Sequence, residues 1–458
     1  MKITVCENIT IDSPTVKVKE WCKDNLVIDN PDFYKLERLG KWTGRTPKTI
    51  QLYETRGDRL IIPFGCINDI WKLHPVMQDY IIALVPNRKL TYNSCIQLYS
   101  YQKEAVEAAL RLKNGILIMP CGAGKTQSGL EIIARVGGRA LWLTHTKELL
   151  EQSKARAESV FDLDEEAFGT ITAGKVNIGT HITFATVQTM CRLNLSEYKD
   201  MWDIIIVDEV QHVAGSPTRV TQFYKVLSSL RARYKIGLTA TPKRADGLER
   251  SMFAIMGDKI HEVYKEQLEG ATCPIKAYMI DTGWSPEEDV TGYDGIIDYN
   301  LLINSMIHDQ KRLKKVCGII ESLDGGTIVL ANRIEYLHAM QKASGKKSIC
   351  ISGVHNAKTK EVRKKALQML NEGEIEVIYA TYALAKEGLD VPSLKYVVFA
   401  TPEKDSTTVI QAAGRVGRRA RGKDYGVVID MVDDFGIYYG WAKKRKTYYK
   451  KIGAEVIQ

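Results

Sequence analysis

Ile116-Leu-Ile-Met-Pro-Cys-Gly-Ala-Gly-Lys-Thr126 decides the reading of this chain: an apolar run, a glycine-containing loop, then a helical pattern that continues to Val136. Such a loop turns backbone N–H groups inward, and the following helix adds partial positive charge at its N-terminus. Cys121, Gly122, Ala123, Gly124, Lys125 and Thr126 therefore form a candidate phosphate cradle. Lys125 is placed to reach terminal phosphates and Thr126 to hold Mg²⁺. The usual pattern opens with glycine where this chain has Met119. A Gly-Lys-Thr triplet alone can be an ordinary turn; a strand before it and a helix after it point to a nucleotide.

Outward from the loop, from about 93 to 268, short apolar runs alternate with helical stretches. Gly115 to Met119, Arg139 to Thr144, His181 to Ala185, Asp203 to Val207 and Lys235 to Thr239 read as buried strands, with helices at Thr126 to Val136 and Lys147 to Ser159. That alternation predicts a parallel sheet with helical crossovers. It recurs from about 306 to the end, with strands at Thr327 to Leu330, Lys347 to Ile351, Glu376 to Thr381, Lys395 to Ala400 and Gly426 to Met431. Residues 269–305 read as a connector with a helix after Tyr299. Residues 1–92 are mixed α+β, strand-like at Arg59 to Pro63, and carry no chemical motif.

Two further elements supply chemistry. Trp202-Asp-Ile-Ile-Ile-Val-Asp-Glu209 puts two carboxylates at the end of an apolar strand, 83 residues after Lys125. Asp208 would hold a metal ion; Glu209 would orient and deprotonate an attacking water. A solvated acidic turn is the plain alternative for the pair alone; its place in the same unit as the loop argues for the nucleotide. Gln411-Ala-Ala-Gly-Arg-Val-Gly-Arg-Arg419 closes a helix of the second unit. Arg415 and Arg418 could be a surface cluster, or could neutralise a transferring phosphoryl group when a cleft between the units closes.

In order, these motifs resemble the superfamily 2 helicases, and more narrowly the XPB-type DNA helicases and phage UvsW-type branched-DNA helicases, over about residues 97 to 430. The resemblance implies two tandem RecA-like domains behind a small accessory domain, with ATP and Mg²⁺ as cofactors. Leu98-Tyr-Ser-Tyr-Gln102 is similar to the segment whose Gln reads adenine, with Tyr99 where the family has Arg. Thr146 in Thr144-His-Thr-Lys-Glu-Leu149, and Thr186 and Gln188 in Thr186-Val-Gln-Thr189, match strand-backbone contacts; Thr381 matches one in the second domain. Each Thr by itself could equally be a helix cap or turn residue. Gln211 stands where relatives carry the His that couples ATP to strand movement. Thr239 and Thr241 of Leu238-Thr-Ala-Thr-Pro242, with Gln411, match coupling positions; Arg244-Ala245-Asp246 replaces the Arg-Glu-Asp of relatives. Gly388 and Asp390 match residues approaching the nucleotide.

The implied division is 1–92, an accessory DNA-recognition domain; 93–268, the ATP-binding domain; 269–305, the connector; and 306–458, the C-terminal RecA-like domain. The implied activity is a 3′→5′ DNA helicase or translocase, a monomer acting on a single tracking strand within branched or forked DNA. An RNA helicase of the same superfamily, the motor of a restriction-type complex, and a nucleic-acid clamp with a degenerate ATP site are the competing readings. No nuclease constellation is recognisable, so a restriction motor would need a partner.

Composition agrees without deciding. Apolar residues are 45% and charged residues 26%, ordinary globular proportions that speak against disorder. There are 64 basic and 55 acidic side chains, a net +9 that favours polyanionic partners. Residues 415–458 hold 11 basic and 5 acidic side chains, so much of that excess lies at the end of the chain. There the run Phe435 to Lys451 mixes aromatics and lysines, which suits either base stacking or packing against the domain. Nine cysteines without a CxxC pair fit a reducing cytoplasm, and no apolar run is long enough to span a bilayer. The sequence thus predicts a cytoplasmic protein of a bacterium or a phage-infected host, with no membrane partner.

Overall fold

The computed structural model describes residues 1–84, 88–217, 219–242, 247–268, 272–292, 295–351, 357–383, 391–420 and 422–457, with backbone alone at 357–360. It divides into two compact units, Met1–Tyr264 and Lys265–Gln458.

The first unit holds an eight-stranded sheet in the order Lys175–Asn177, Phe168–Thr172, Ile182–Thr186, Ala140–Thr144, Ile204–Asp208, Tyr234–Thr239, Asn114–Ile118, Lys259–Glu262. Every pairing is parallel except the first, an edge hairpin. The five expected strands are its centre. Their side chains are buried on both faces, apart from Tyr234 at one strand start, which is why they read as near-continuous apolar runs. The sequence reading did not find the flanking strands. Phe168–Thr172 alternates buried and half-buried residues, and Lys259–Glu262 is a partly exposed edge strand with a register shift.

An N-terminal layer completes this unit. Its five strands run in the order Glu54–Arg56, Arg59–Pro63, Asn8–Asp12, Lys2–Val5, Tyr80–Ile82, antiparallel except for the last pair. Helix Val16–Asn25 closes over them through Val18 and Cys22. The layer is fastened to the parallel-sheet region by polar contacts. Glu7 accepts hydrogen bonds from Lys199 (2.9 Å) and Arg231 (2.8 Å), and Asn8 Nδ2 donates to the Ser228 carbonyl at 3.0 Å. Burial would raise the Glu7 carboxyl, but Arg231 and Lys199 outweigh it and hold it near about 2. Beside them Lys235, fully buried, donates to the Leu227 carbonyl at 2.9 Å and lies over the Phe64 ring.

The second unit is a seven-stranded, wholly parallel sheet in the order Ser348–Ile351, Val377–Thr381, Thr327–Ala331, Tyr396–Phe399, Gly426–Val432, Ile275–Asp281, Glu455–Ile457. Ile275–Asp281 comes from the stretch read as a connector, and helix Tyr299–His308 begins where expected. The C-terminal run forms helix Gly436–Lys451, burying Tyr438, Ala442, Arg445 and Tyr449 at helical spacing while Lys443, Lys444, Lys450 and Lys451 stay exposed. Tyr438 and Tyr449 therefore pack, while Tyr439 and these lysines face water. No helix among the described residues is long and apolar enough to cross a membrane.

Candidate nucleotide site and strand-contact edge

Every candidate of the first unit lies at or just beyond the carboxyl end of a parallel strand or, for Gln102, against the loop that follows one. This is the edge where open α/β sheets bind ligands. After Asn114–Ile118 the chain turns through Gly122 (φ +84°) and Gly124 (φ +77°), left-handed conformations that suit glycine, into helix Lys125–Val136. A Cβ on Gly124 would stand 2.3 Å from Gln102 Nε2. Gln102 is itself buried in helix Ser100–Leu112; its Nε2 donates to the Ala123 carbonyl at 2.8 Å and its Oε1 accepts the Tyr99 N–H at 3.0 Å. The loop is thus braced from behind, and Lys125 and Thr126 open the helix.

Asp208 ends the central strand, 5% exposed. Burial lifts its carboxyl to about 7 and the Glu209 charge adds to the lift; Lys125 and the Glu209 N–H (3.0 Å) oppose it without restoring the usual carboxylate range. A buried carboxylate so short of positive charge, beside a second carboxylate, fits a hard divalent cation such as Mg²⁺. Glu209 adopts φ +51°, a left-handed conformation costing a non-glycine residue about 1–2 kcal/mol. Strain of this kind at a sheet edge marks a residue whose direction matters.

From Glu209 a chain of hydrogen bonds crosses to the neighbouring strand. Gln211 Nε2 donates to Glu209 Oε2 at 2.6 Å, and Thr239 Oγ1 lies 2.7 Å from Gln211 Oε1. Thr239 Oγ1 also lies 2.9 Å from the Thr241 carbonyl and accepts the Thr241 N–H at 3.0 Å. Four residues singled out from the sequence are therefore physically joined. Gln211 both donates and accepts, as a link between two segments requires.

The strand-contact candidates sit on the other side of Asp208. Thr144 and Thr186 end adjacent strands in register. Thr146 caps helix Lys147–Val160, its hydroxyl accepting the Leu149 N–H at 3.3 Å. Thr186 Oγ1 donates to Thr189 Oγ1 at 3.1 Å, and Gln188 Nε2 donates to the His145 carbonyl at 2.7 Å. The cap reading and the strand-contact reading of Thr146 are compatible, because an accepting hydroxyl keeps its own proton to donate.

One feature of this edge escaped the sequence reading. His145 and His212 pack ring on ring, centroids 3.9 Å apart. Both lie within segments chosen for other residues, and the adjacency of strands Ala140–Thr144 and Ile204–Asp208 that brings them together is not written in either segment. Burial, then the His212 charge, lowers His145 to about 4, so it is neutral at physiological pH.

In the second unit Thr381 ends strand Val377–Thr381, half-buried. Gln411 and Arg415 share one face of helix Ser406–Arg415, with Arg418 in the turn after it. Gly388 and Asp390, like Arg244 and Asp246, lie outside the described residues.

Comparison with known proteins agrees with this arrangement. Residues 95–244 match the family described as type III restriction enzyme, res subunit, and residues 311–420 match the helicase conserved C-terminal domain. An Acanthamoeba polyphaga mimivirus protein provisionally named an ATP-dependent RNA helicase is 25% identical, covering 74% of this chain and 64% of its own length. The DNA 3′-5′ translocase XPB2 of Sulfurisphaera tokodaii is 24% identical over 77% of this chain and 85% of its own. The chain thus spans less than two thirds of the first of these relatives and most of the second. Among solved structures, Saccharomyces cerevisiae Dbp5 bound to RNA and ADP BeF3 shares the fold, with TM-score 0.55 at 16% identity over 79% of this chain and 90% of that one.

Proposed function

Since this chain belongs to the superfamily 2 helicases, we propose that it is an ATP-driven 3′→5′ DNA translocase or helicase that remodels branched or forked DNA. The observation that carries the reading is the hydrogen-bonded chain Glu209–Gln211–Thr239–Thr241, beside a braced phosphate loop on one sheet edge. It ties a water-activating carboxylate to a segment that can respond to a bound strand.

The roles follow from position. The N–H groups of Cys121, Gly122 and Gly124 and the Lys125 ammonium bind the phosphates of ATP, while the Ala123 N–H closes the loop on the Pro120 carbonyl at 3.1 Å. Thr126 and Asp208 hold Mg²⁺, which when bound neutralises phosphate charge. Glu209 takes a proton from water as its oxygen attacks the terminal phosphorus, and ADP leaves as phosphate forms. Gln102, with one N–H beyond its bond to the loop, meets adenine. Gly388 and Asp390 approach the nucleotide, and Arg415 and Arg418 bring cationic charge to the transferring phosphoryl group. Thr146, Thr186, Gln188 and Thr381 grip strand backbone, donors that hold phosphates without reading bases. Gln211, Thr239, Thr241 and Gln411 pass the state of one site to the other.

The N-terminal region, 1–92, is proposed to engage the substrate through its loop around Trp42. That indole is 82% exposed, and a Cβ on Gly44 (φ +22°) would lie 2.2 Å from its ring atoms, so one ring face rests on glycine backbone. Residues 35–48 carry Lys35, Arg38, Lys41, Arg45 and Lys48 against Glu37 alone. An aromatic face amid cations suits base stacking beside phosphates. The likeness to a relative named as an RNA helicase favours RNA as a second reading. ATP hydrolysis and strand displacement measured with single-stranded DNA, forked DNA, a four-way junction and RNA duplex separate the two. Greater stimulation by RNA than by any DNA overturns the DNA reading.

A further inference from the structure

We propose that the His145–His212 ring pair, in tilted contact, is the link through which occupancy of the strand-gripping residues sets the position of Glu209. Both histidines are then positioning residues for hydrolysis. The inference rests on the proposed role of Glu209.

The contacts on either side of the pair lead to opposite ends of the machinery. His145 follows strand Ala140–Thr144, between Thr144, whose hydroxyl donates to the Thr146 carbonyl at 3.0 Å, and Thr146 itself. Its carbonyl accepts from Gln188 at 2.7 Å. The loop that would meet a strand backbone through Thr146 and Gln188 is therefore the loop that carries His145. His212 closes the short turn Val210–His212, and its N–H donates to the Glu209 carbonyl at 3.0 Å. That turn also carries Gln211, which bonds the Glu209 carboxylate. At 3.9 Å between centroids the rings are in van der Waals contact, so neither loop can shift toward the other without moving both.

Among the described residues, His145 Nδ1 is buried with no hydrogen-bond partner. An unmet buried polar atom is costly, so a modest rotation that satisfies it is favourable if another contact drives it. Glu209 is held in a left-handed conformation, and a shift of its own carbonyl partner alters the strain it bears. A strand pressing on the His145 loop thus has a short mechanical route to the carboxylate. The Gln211–Thr239 bond enters the same turn from the neighbouring strand, so the two contacts meet at Val210–His212.

The test uses the full chain with His145→Ala, His212→Ala and His212→Phe. ATPase is measured without nucleic acid and across a titration of oligo-dT. For the Ala variants the expected result is a ratio of stimulated to basal rate lowered roughly tenfold, with a half-activating oligo-dT concentration near that of the unmodified protein. His212→Phe, which keeps a ring in the pair, retains most of the stimulation. Full stimulation in both Ala variants overturns the proposal. So does an equal fall in basal and stimulated rates, which makes the histidines part of the hydrolytic site or of general stability. An unmodified protein that no nucleic acid stimulates fails the functional reading itself, and this inference falls with it.

Discussion

Asp208 in the first unit and Asp433 in the second both lie at the carboxyl end of a parallel strand, and both are all but inaccessible to water. Their surroundings are opposite. Asp433 takes Arg312 in a fork of 2.7 and 3.0 Å and the Thr282 hydroxyl at 2.5 Å, while Arg312 also reaches the Tyr336 hydroxyl and the Ala400 carbonyl. Asp430, three residues earlier, is matched in the same way by Arg445 and Tyr449. Among the described residues Asp208 has no such fork: burial and Glu209 push its carboxyl up, and Lys125 only partly offsets them. A buried carboxylate satisfied by the protein's own arginine is structural, and one left short of positive charge is a place for a cation brought from outside. Burial and position do not separate the two cases; the identity of the partners does.

The comparison breaks most sharply in catalysis. Glu209→Gln keeps the size of the side chain and removes its basicity, and turnover is expected to fall by roughly 10²–10⁴-fold, the usual weight of a general base. Lys125→Ala is expected to abolish turnover as well. Strand affinity measured by fluorescence anisotropy should hold in both; normal ATPase in either purified variant overturns the assignment. Next in size is the same substitution made on each side of the comparison. Asp433→Asn leaves Arg312 charged and buried, at an expected cost of roughly 3–5 kcal/mol in urea unfolding. Asp208→Asn removes a charge the site bears poorly, so without Mg²⁺ it should cost no stability while eliminating Mg²⁺-dependent hydrolysis. Equal losses of stability at both positions would mean that Asp208 is structural too.

What could be read beforehand follows from the same physics. Parallel strands buried on both faces appear as apolar runs, so the centres of both sheets were legible, as were the loop at 121–126 and the carboxylates ending Ile204–Asp208. Most strands covered on one face, or at an edge, were not, although Ser348–Ile351 at the edge of the second sheet and Arg59–Pro63 were. Ile275–Asp281 alternates small or apolar positions with Lys276 and Tyr278 and lies among connector residues. The C-terminal helix was readable only as two options, because lysines interleaved with aromatics serve base stacking and packing equally well until Tyr438, Arg445 and Tyr449 are seen buried. At the site, residue types were legible and their connections were not. The bonds of Gln102 to Ala123 and of Gln211 to Thr239, and the His145–His212 contact, depend on strand order that no local motif encodes.

Lys235 extends the comparison to a buried cation. Burial lowers its ammonium from the ordinary range to about 8, partly opposed by the Glu7 charge. Below pH 8 both folded and unfolded chains hold the proton, so the folded state bears the whole penalty of a buried charge. Between pH 8 and about 10.5 the folded protein releases the proton while the unfolded chain keeps it, and stability rises with pH by an amount on the order of 3 kcal/mol. Lys235→Met lacks this term. Relative to the unmodified protein, its melting temperature should be most favourable at pH 7 and lose ground by pH 10; parallel pH profiles would show that the ammonium is not penalised.

The smallest effect expected is at Thr146, where stability and strand contact can be pulled apart. Thr146→Ala removes a cap worth about 1 kcal/mol and the hydroxyl proton together, so a loss of both stability and affinity decides nothing by itself. Thr146→Asp is the informative change. Asp accepts the Leu149 N–H as Thr does and adds negative charge at the N-terminus of helix Lys147–Val160, where the helix dipole favours it. Stability should hold or rise by a few tenths of a kcal/mol. The same charge set against a phosphate should weaken oligo-dT binding several-fold at low salt, with the difference shrinking as salt screens it. If affinity is untouched while the helix is kept, Thr146 is a cap and nothing more, and the strand path across this edge must run through Gln188 without it.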